Sequence, residues 1–270
     1  KTILIITHKL EEVMDFSDEI TVLRAGRHVV TVKKEDTNIP ELTAYMVGRE
    51  VHLGGHKTQA DTSEVMLQLS HVSCKAEGRQ ALQNISFTLR SGEILGIAGI
   101  DGSGQTELTE VVAGILPCQE GSVTFRGREI TGDSIAKRKA EGIGFIAQDR
   151  HRHGLILDFS VEENLLLGMQ RRSGYITRRF LQDSRKIHAM AEERIRDFDI
   201  RPPLRSNRAS TLSGGNQQKI IVAREMGAMP HLIVADQPTR GVDVGAIEFN
   251  HNTLVEHRNR GGSVLLASLE

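Results

Sequence analysis

The octapeptide Gly99-Ile100-Asp101-Gly102-Ser103-Gly104-Gln105-Thr106 follows an apolar run, Ile94 to Ala98, and opens a helical pattern, Thr106 to Ala113. Its glycines let backbone N–H groups turn towards a polyphosphate, and the helix N-terminus adds partial positive charge. The Thr106 hydroxyl is a candidate contact for Mg2+. The spacing is that of a phosphate-binding loop except at one position, because Gln105 stands where that pattern has lysine. An amide can hydrogen-bond to a phosphate oxygen but cannot neutralise charge that develops during phosphoryl transfer, so binding is expected to outlast catalysis. The same residues also fit a plain glycine turn between a strand and a helix.

Leu212-Ser213-Gly214-Gly215-Asn216-Gln217-Gln218-Lys219 is a second constellation. Ser213 suits a helix N-cap, and capped starts of this kind are common. The same arrangement leaves Ser213 and the free N–H groups of Gly214 and Gly215 at a helix terminus suited to a terminal phosphate. A third runs from His231 through Leu232-Ile233-Val234-Ala235 to Asp236-Gln237-Pro238-Thr239, then Arg240-Gly241-Val242-Asp243-Val244-Gly245-Ala246. In a parallel fold, a carboxylate ending a strand lies beside the phosphate loop, which makes Asp236 a candidate Mg2+ contact. A glutamate at the next position would polarise an attacking water. Gln237 cannot accept a proton, and general-base help is typically worth about 10²–10⁴ in rate.

These residues need a scaffold to hold them. Val65 to Leu69 and Ile85 to Leu89 alternate like antiparallel edge strands, while Ile94 to Ala98, Leu232 to Ala235 and Ser263 to Ala267 read as further strands, the first of them buried. Phe180 to Phe198, Gln217 to Met226 and Ala246 to His257 carry helical patterns. Such alternation predicts a mostly parallel sheet. Lys1 to His8 reads as another buried strand, and Val51 to Glu64, polar and without period, as a linker between domains. Placed without gaps, Ser263 to Glu270 overlies Thr2 to Lys9, which suggests the tail of one domain followed by most of a second copy.

The phosphate loop, the Leu-Ser-Gly-Gly turn and Asp-Gln-Pro-Thr, in this order, resemble the nucleotide-binding domains of ABC transporters. More narrowly, LSGGNQQK, the stretch Gln148 to Leu155 and PTRGVDVGA resemble tandem-domain importers of simple sugars. Gln105 with Gln237 and Gly245-Ala246-Ile247-Glu248-Phe249 leans towards a subgroup linked to nucleoside uptake, with sugars the close alternative. The resemblance implies an α/β fold: a P-loop NTPase of ABC type, with a mostly parallel sheet, antiparallel edge strands and a helical subdomain. It implies that 1–50 is the C-terminal end of a first nucleotide-binding domain, 51–64 the linker, and 65–270 a second domain truncated at its C-terminus.

ATP would contact Gly99, Asp101, Gly102, Ser103, Gly104, Gln105, Thr106, Ser213, Gly214, Gly215, Gln217 and Asp243, with Mg2+ at Thr106, Asp236 and Gln148. His8 resembles the switch histidine of the first domain, although a histidine after an apolar strand is also an ordinary surface or capping residue. Leu269 stands at the matching place in the second copy, and Ala76 where the family usually stacks an aromatic on adenine. Gln148 resembles the residue that senses Mg2+ and relays to the membrane subunit. Leu155-Ile156-Leu157 with Phe159 would meet a permease, or form a plain core strand or turn. Because such domains pair head to tail, the resemblance implies one working site and one that holds ATP but hardly hydrolyses it. The partners implied are integral membrane permease subunits, the chain's own first domain and, indirectly, an external substrate-binding protein. The location implied is peripheral, on the cytoplasmic face of a bacterial-type cell membrane. A nucleotide-binding module without turnover is the further alternative.

The 270 residues carry a net charge of −1, which gives no electrostatic footprint for nucleic acid. Arg171, Arg172, Arg178 and Arg179 read as a solvated basic face. Cys74 and Cys118 have no CxxC or histidine-rich spacing, and a reducing compartment is the simpler reading. His151 and His153 lack a nearby third metal ligand. No apolar run reaches the roughly 18 residues of a membrane helix, and the first residues do not read as a signal peptide.

Overall fold

A computed structural model describes residues 1–7, 9–51, 55–76, 78–170, 174–176 and 181–268. The first segment folds as helix α1 (Leu10–Phe16), the antiparallel hairpin β1 (Glu19–Arg24) and β2 (Arg27–Lys33), and helix α2 (Ile39–Val47). Leu10, Ile20, Val22 and Leu42 form its small core. Lys1–Thr7, expected as a buried strand, has no regular structure and exposes Ile3, Leu4 and Ile6. A strand needs a neighbour for its backbone N–H and C=O groups, and among the described residues none lies alongside.

Beyond residue 64 come β3 (Val65–Ala76), β4 (Arg79–Arg90), β5 (Ile94–Ile97), α3 (Gln105–Ala113), β6 (Glu120–Phe125), β7 (Arg128–Glu129), α4 (Ile135–Ala140) and β8 (Ile143–Ile146). A π-helical turn at Arg150–Gly154 leads to α5 (Val161–Leu166), α6 (Ser184–Asp197), α7 (Gly214–Met226), β9 (Leu232–Asp236), α8 (Val244–Asn259) and β10 (Ser263–Ala267). The parallel sheet has the order β5-β10-β9-β8, and the antiparallel strands make a sheet of their own, β4-β3-β6-β7. β3 and β4 pair antiparallel from Val65–Arg90 to Ala76–Arg79, with four shifts of register along the way.

The parallel sheet is covered on both faces, which explains why its strands read as continuous apolar runs. Leu232 and Val234 of β9 face the cluster that contains Leu108, Val111 and Val112 of α3. Ile233 and Ala235 face the opposite cluster, built largely from α5, α6 and α7. Strand alternation then puts the next even residue, Asp236, on the α3 side. β5 departs from expectation: it lies at the sheet edge, with Gly96 and Ala98 exposed and its other residues half-buried.

Helix α7 begins at Gly214, three residues before the apolar pattern that signals it. Two glycines hide the start, because glycine weakens helix propensity while the backbone still takes helical angles. The helix expected from Phe180 begins at Ser184, with Asp183 capping it. Phe180, His8, Leu269 and the Arg171, Arg172, Arg178 and Arg179 group lie outside the described residues.

Candidate functional site

β5 delivers the chain to the glycine loop, and α3 leaves it with Gly104 at the N-cap. Gly102 and Gly104 take φ of 80° and 97°, where a side chain is strained. A Cβ on Gly104 would also fall 2.9 Å from the Ala81 carbonyl oxygen. Asp101, Gly102 and Ser103 are exposed, whereas Gln105 is buried and folds back over Gly99. A Cβ on Gly99 would sit 2.6 Å from Gln105 Nε2. That amide nitrogen is buried without a hydrogen-bond partner among the described residues. An unmet buried donor costs about 1–3 kcal/mol, and an incoming phosphate oxygen would supply its acceptor.

The Thr106 hydroxyl donates to Gln148 Oε1 at 2.9 Å, and the Thr109 hydroxyl approaches Asp236 Oδ2 at 3.3 Å. Asp236 is 1% exposed, and its Oδ1 has no partner among the described residues. Burial raises the Asp236 pKa, and the nearby Thr106 and Thr109 hydroxyls only partly oppose the shift. Thr106, Gln148 and Asp236 thus converge from a helix start, a loop after β8 and a strand end. Their oxygens suit a hard cation, which commonly takes one or two carboxylates and completes its shell with water and phosphate. The unmet Asp236 oxygen and the unmet Gln105 donor fit a cation and a phosphate respectively.

Gln237 follows with φ of 44°, a region that few non-glycine residues adopt. Its backbone N–H donates to the Ala267 carbonyl at 2.8 Å, which ties the turn to β10.

The serine–glycine turn is a separate construction. Ser213 occupies the N-cap position of α7, yet its hydroxyl accepts from the Asn216 side chain at 3.0 Å instead of from the helix backbone. The first N–H groups of a helix have no intrahelical acceptor, so this terminus keeps donors for an anion. Gly215 is packed against Asp243, whose Oδ2 would lie 2.9 Å from an added Cβ. Asp243 itself caps α8, accepting from Ala246 N at 2.9 Å. Gln217 is buried, donating to the Ala209 and Leu212 carbonyls and meeting His151 Nε2 at 2.9 Å through Oε1. Its polar atoms are committed to protein.

His151 and His153 diverge, the second standing 4.0 Å from Glu110. Among the described residues no group of three or more His, Cys, Asp or Glu is placed to hold a metal. The residues that the motifs did not single out are those that tie these parts together: Arg150, Arg224, Glu225 and Lys139. Glu225 is buried, and although burial alone would raise its pKa, Arg224 and Lys139 outweigh that and hold it low. For Arg224 and Glu225 the only signal was charge inside an otherwise apolar helix pattern, while Lys139 sits in a Lys/Arg run and Arg150 in a turn.

The family model for ABC transporters matches residues 82–240. The chain belongs to the ABC transporter family. It is 40% identical over its whole length to the nucleoside import ATP-binding protein NupA of Lactococcus lactis subsp. cremoris, of which it covers 53%. It is 42% identical over 94% of its length to the guanosine import ATP-binding protein NupO of Bacillus subtilis, covering 50% of that protein. The chain therefore spans about half the length of the curated relatives it matches. A crystal structure of a nucleotide-free ATP-binding cassette from an ABC transporter superposes with a TM-score of 0.63 at 25% identity, covering 76% of this chain and 81% of that one. The fold is that of an ABC ATPase cassette, and no helix among the described residues is long and apolar enough to cross a membrane.

Proposed function

We propose that this chain is part of the ATP-binding subunit of an importer that couples ATP binding and hydrolysis to uptake of a nucleoside. Residues 1–50 end a first nucleotide-binding domain, 51–64 link it onward, and 65–270 form most of a second. The second domain's own pocket, built on Gly99, Asp101, Gly102, Ser103, Gly104, Gln105 and Thr106, holds ATP but hardly hydrolyses it. The observation that carries this reading is the pair of amides at Gln105 and Gln237, where catalysis calls for a cation and a base. Thr106, Gln148 and Asp236 would hold Mg2+, which when bound neutralises phosphate charge. The Gln105 amide donates to a phosphate oxygen, and Gln237 leaves the attacking water without a proton acceptor. Ser213, Gly214 and Gly215 close instead over ATP bound to the first domain, with His8 reaching its γ-phosphate.

The subunit works at the cytoplasmic face of a bacterial-type membrane, bound to permease subunits that receive substrate from an external binding protein. The names of the two relatives support nucleoside uptake. The run Pro238 to Ala246, similar to sugar importers, favours ribose or galactose as the second reading. In the full-length protein assembled with its permease, replacing the first domain's phosphate-loop lysine should abolish ATP turnover. Gln105→Lys alone should change turnover by less than about twofold, within the scatter of independent sites. Strong turnover after the first change would refute the division of labour, and nucleoside against ribose uptake in the same vesicles decides the substrate.

A further inference from the structure

The stretch from Phe145 to Gly154 lies between the two constellations and is held by α7 along its length. Glu225 accepts from Phe145 N at 3.4 Å, and Arg224 Nη1 donates to the Gly154 carbonyl at 2.7 Å. His151 meets Gln217, three residues after Gly214. Asp149 fixes the π-helical turn by accepting from the His151 and Arg152 N–H groups. At one end of this stretch, Gln148 accepts the Thr106 hydroxyl of the phosphate loop.

Arg150 spans from that stretch to the serine–glycine turn. Its Nη1 donates to the Arg240 carbonyl at 3.0 Å. Its Nη2 packs so closely on Gly214 that a Cβ there would fall 2.9 Å away, and the Gly241 carbonyl oxygen would be 3.2 Å from the same Cβ. The planar guanidinium thus lies against both the turn that opens α7 and the turn before Asp243. A rigid five-donor fork can fix two turns at once in a way that a lysine point charge cannot. A Cβ at 214 would have to push the guanidinium aside.

We propose that Arg150 is a positioning residue: it sets the Ser213–Gly215 turn from the side of the Thr106–Gln148–Asp236 cluster. This rests on the reading that Ser213–Gly215 serves ATP bound to the first domain.

The test uses the full-length protein with its permease in vesicles, reading ATP turnover, KM and thermal midpoint. Arg150→Met is expected to lower kcat about tenfold or more, as loss of hydrogen bonds from a charged donor would, with KM and midpoint nearly unchanged. Arg150→Lys should regain part of the loss. Gln148→Ala should slow turnover in the wild-type background but add less than about twofold to Arg150→Met, because residues acting in one chain are not additive. Wild-type kcat in Arg150→Met, a loss that follows the midpoint, or full additivity with Gln148→Ala would each overturn the proposal. Ser213→Ala separates the two claims. If it keeps full turnover, the reading of the turn fails and takes this proposal with it. If it abolishes turnover while Arg150→Met does not, only the role of Arg150 fails.

Discussion

At the scale of single residues, the proposed nucleotide pocket centres on two buried groups with unmet hydrogen-bonding capacity. Among the described residues, Gln105 Nε2 is a donor without an acceptor and Asp236 Oδ1 an acceptor without a donor. Burial raises the Asp236 pKa, so the folded chain holds a proton there more tightly than the unfolded chain does. A carboxyl shifted in this direction favours the fold at low pH, and the advantage is lost as pH rises through the raised folded pKa. Asp236→Asn should therefore raise the thermal midpoint of the nucleotide-free protein at neutral pH. The gain should grow with pH and vanish only below the ordinary carboxylate range, where folded and unfolded chains both hold the proton. The same variant should lose Mg2+-dependent binding of nucleotide, measured by titration with a fluorescent ATP analogue. A variant that is no more stable at pH 8 than at pH 4 would contradict the assignment. Asp236 was legible in the sequence because an apolar strand ending in a carboxylate is a strong local pattern. Arg150 was not, since its partners are carbonyls and a glycine far along the chain, and side-chain type alone says nothing about a carbonyl 90 positions away.

At the scale of elements, α3 is fixed at both ends. Its N-terminus opens from the glycine loop, and its C-terminal carbonyls are taken by Arg138, which is 2% exposed. The guanidinium donates to Val111 and Val112 of that helix, and to Ile130 and Thr131, at 2.7–2.9 Å. A cation at a helix C-terminus complements the helix dipole. Burial lowers the Arg138 pKa, with Asp133 opposing, yet an arginine stays protonated at any working pH. Arg138→Met should destabilise the fold by on the order of 3 kcal/mol, because several buried carbonyls lose a charged donor together. Urea unfolding of the full-length protein measures this, and a loss under about 1 kcal/mol would mean that water replaces the guanidinium without strain. From sequence, Ile135 to Ala140 shows only a run of Lys and Arg that suits a solvated helix. Three of the four strands of the parallel sheet were legible from their apolar runs, whereas the short β8, with Gly144 inside it, was not read. The start of α7 was legible only through Ser213, since its two glycines mask the helix that the tertiary structure enforces. The exposure of β5 was hidden for a related reason: an apolar strand reads as buried whether it sits in the middle of a sheet or at its edge.

At the scale of the molecule, the first segment does not stand apart. Arg49 holds Glu248 of α8 through both nitrogens, at 3.2 and 2.6 Å, and Val244 packs on the core of the first segment. Residues 56–58 are in turn fastened to the end of α8, where Asn259 Nδ2 donates to the His56 carbonyl and Arg258 meets the Thr58 carbonyl. The polar composition of 51–64 suggests a linker, but it gave no sign that His56 and Thr58 would be tied to the end of α8. The helix so gripped is capped by Asp243, beside Gly215, so the first segment bears on the same corner of the fold as Arg150 does. Unequal sites are the central claim, and the fate of the γ-phosphate at each site tests it most directly. The full-length protein would be supplied with photoreactive ATP labelled at either the α- or the γ-phosphate, crosslinked during turnover, and digested. The account predicts that peptides containing residues 99–106 keep both labels, while those from the first domain's loop keep only the α-label. Equal loss of the γ-label from both loops would contradict it.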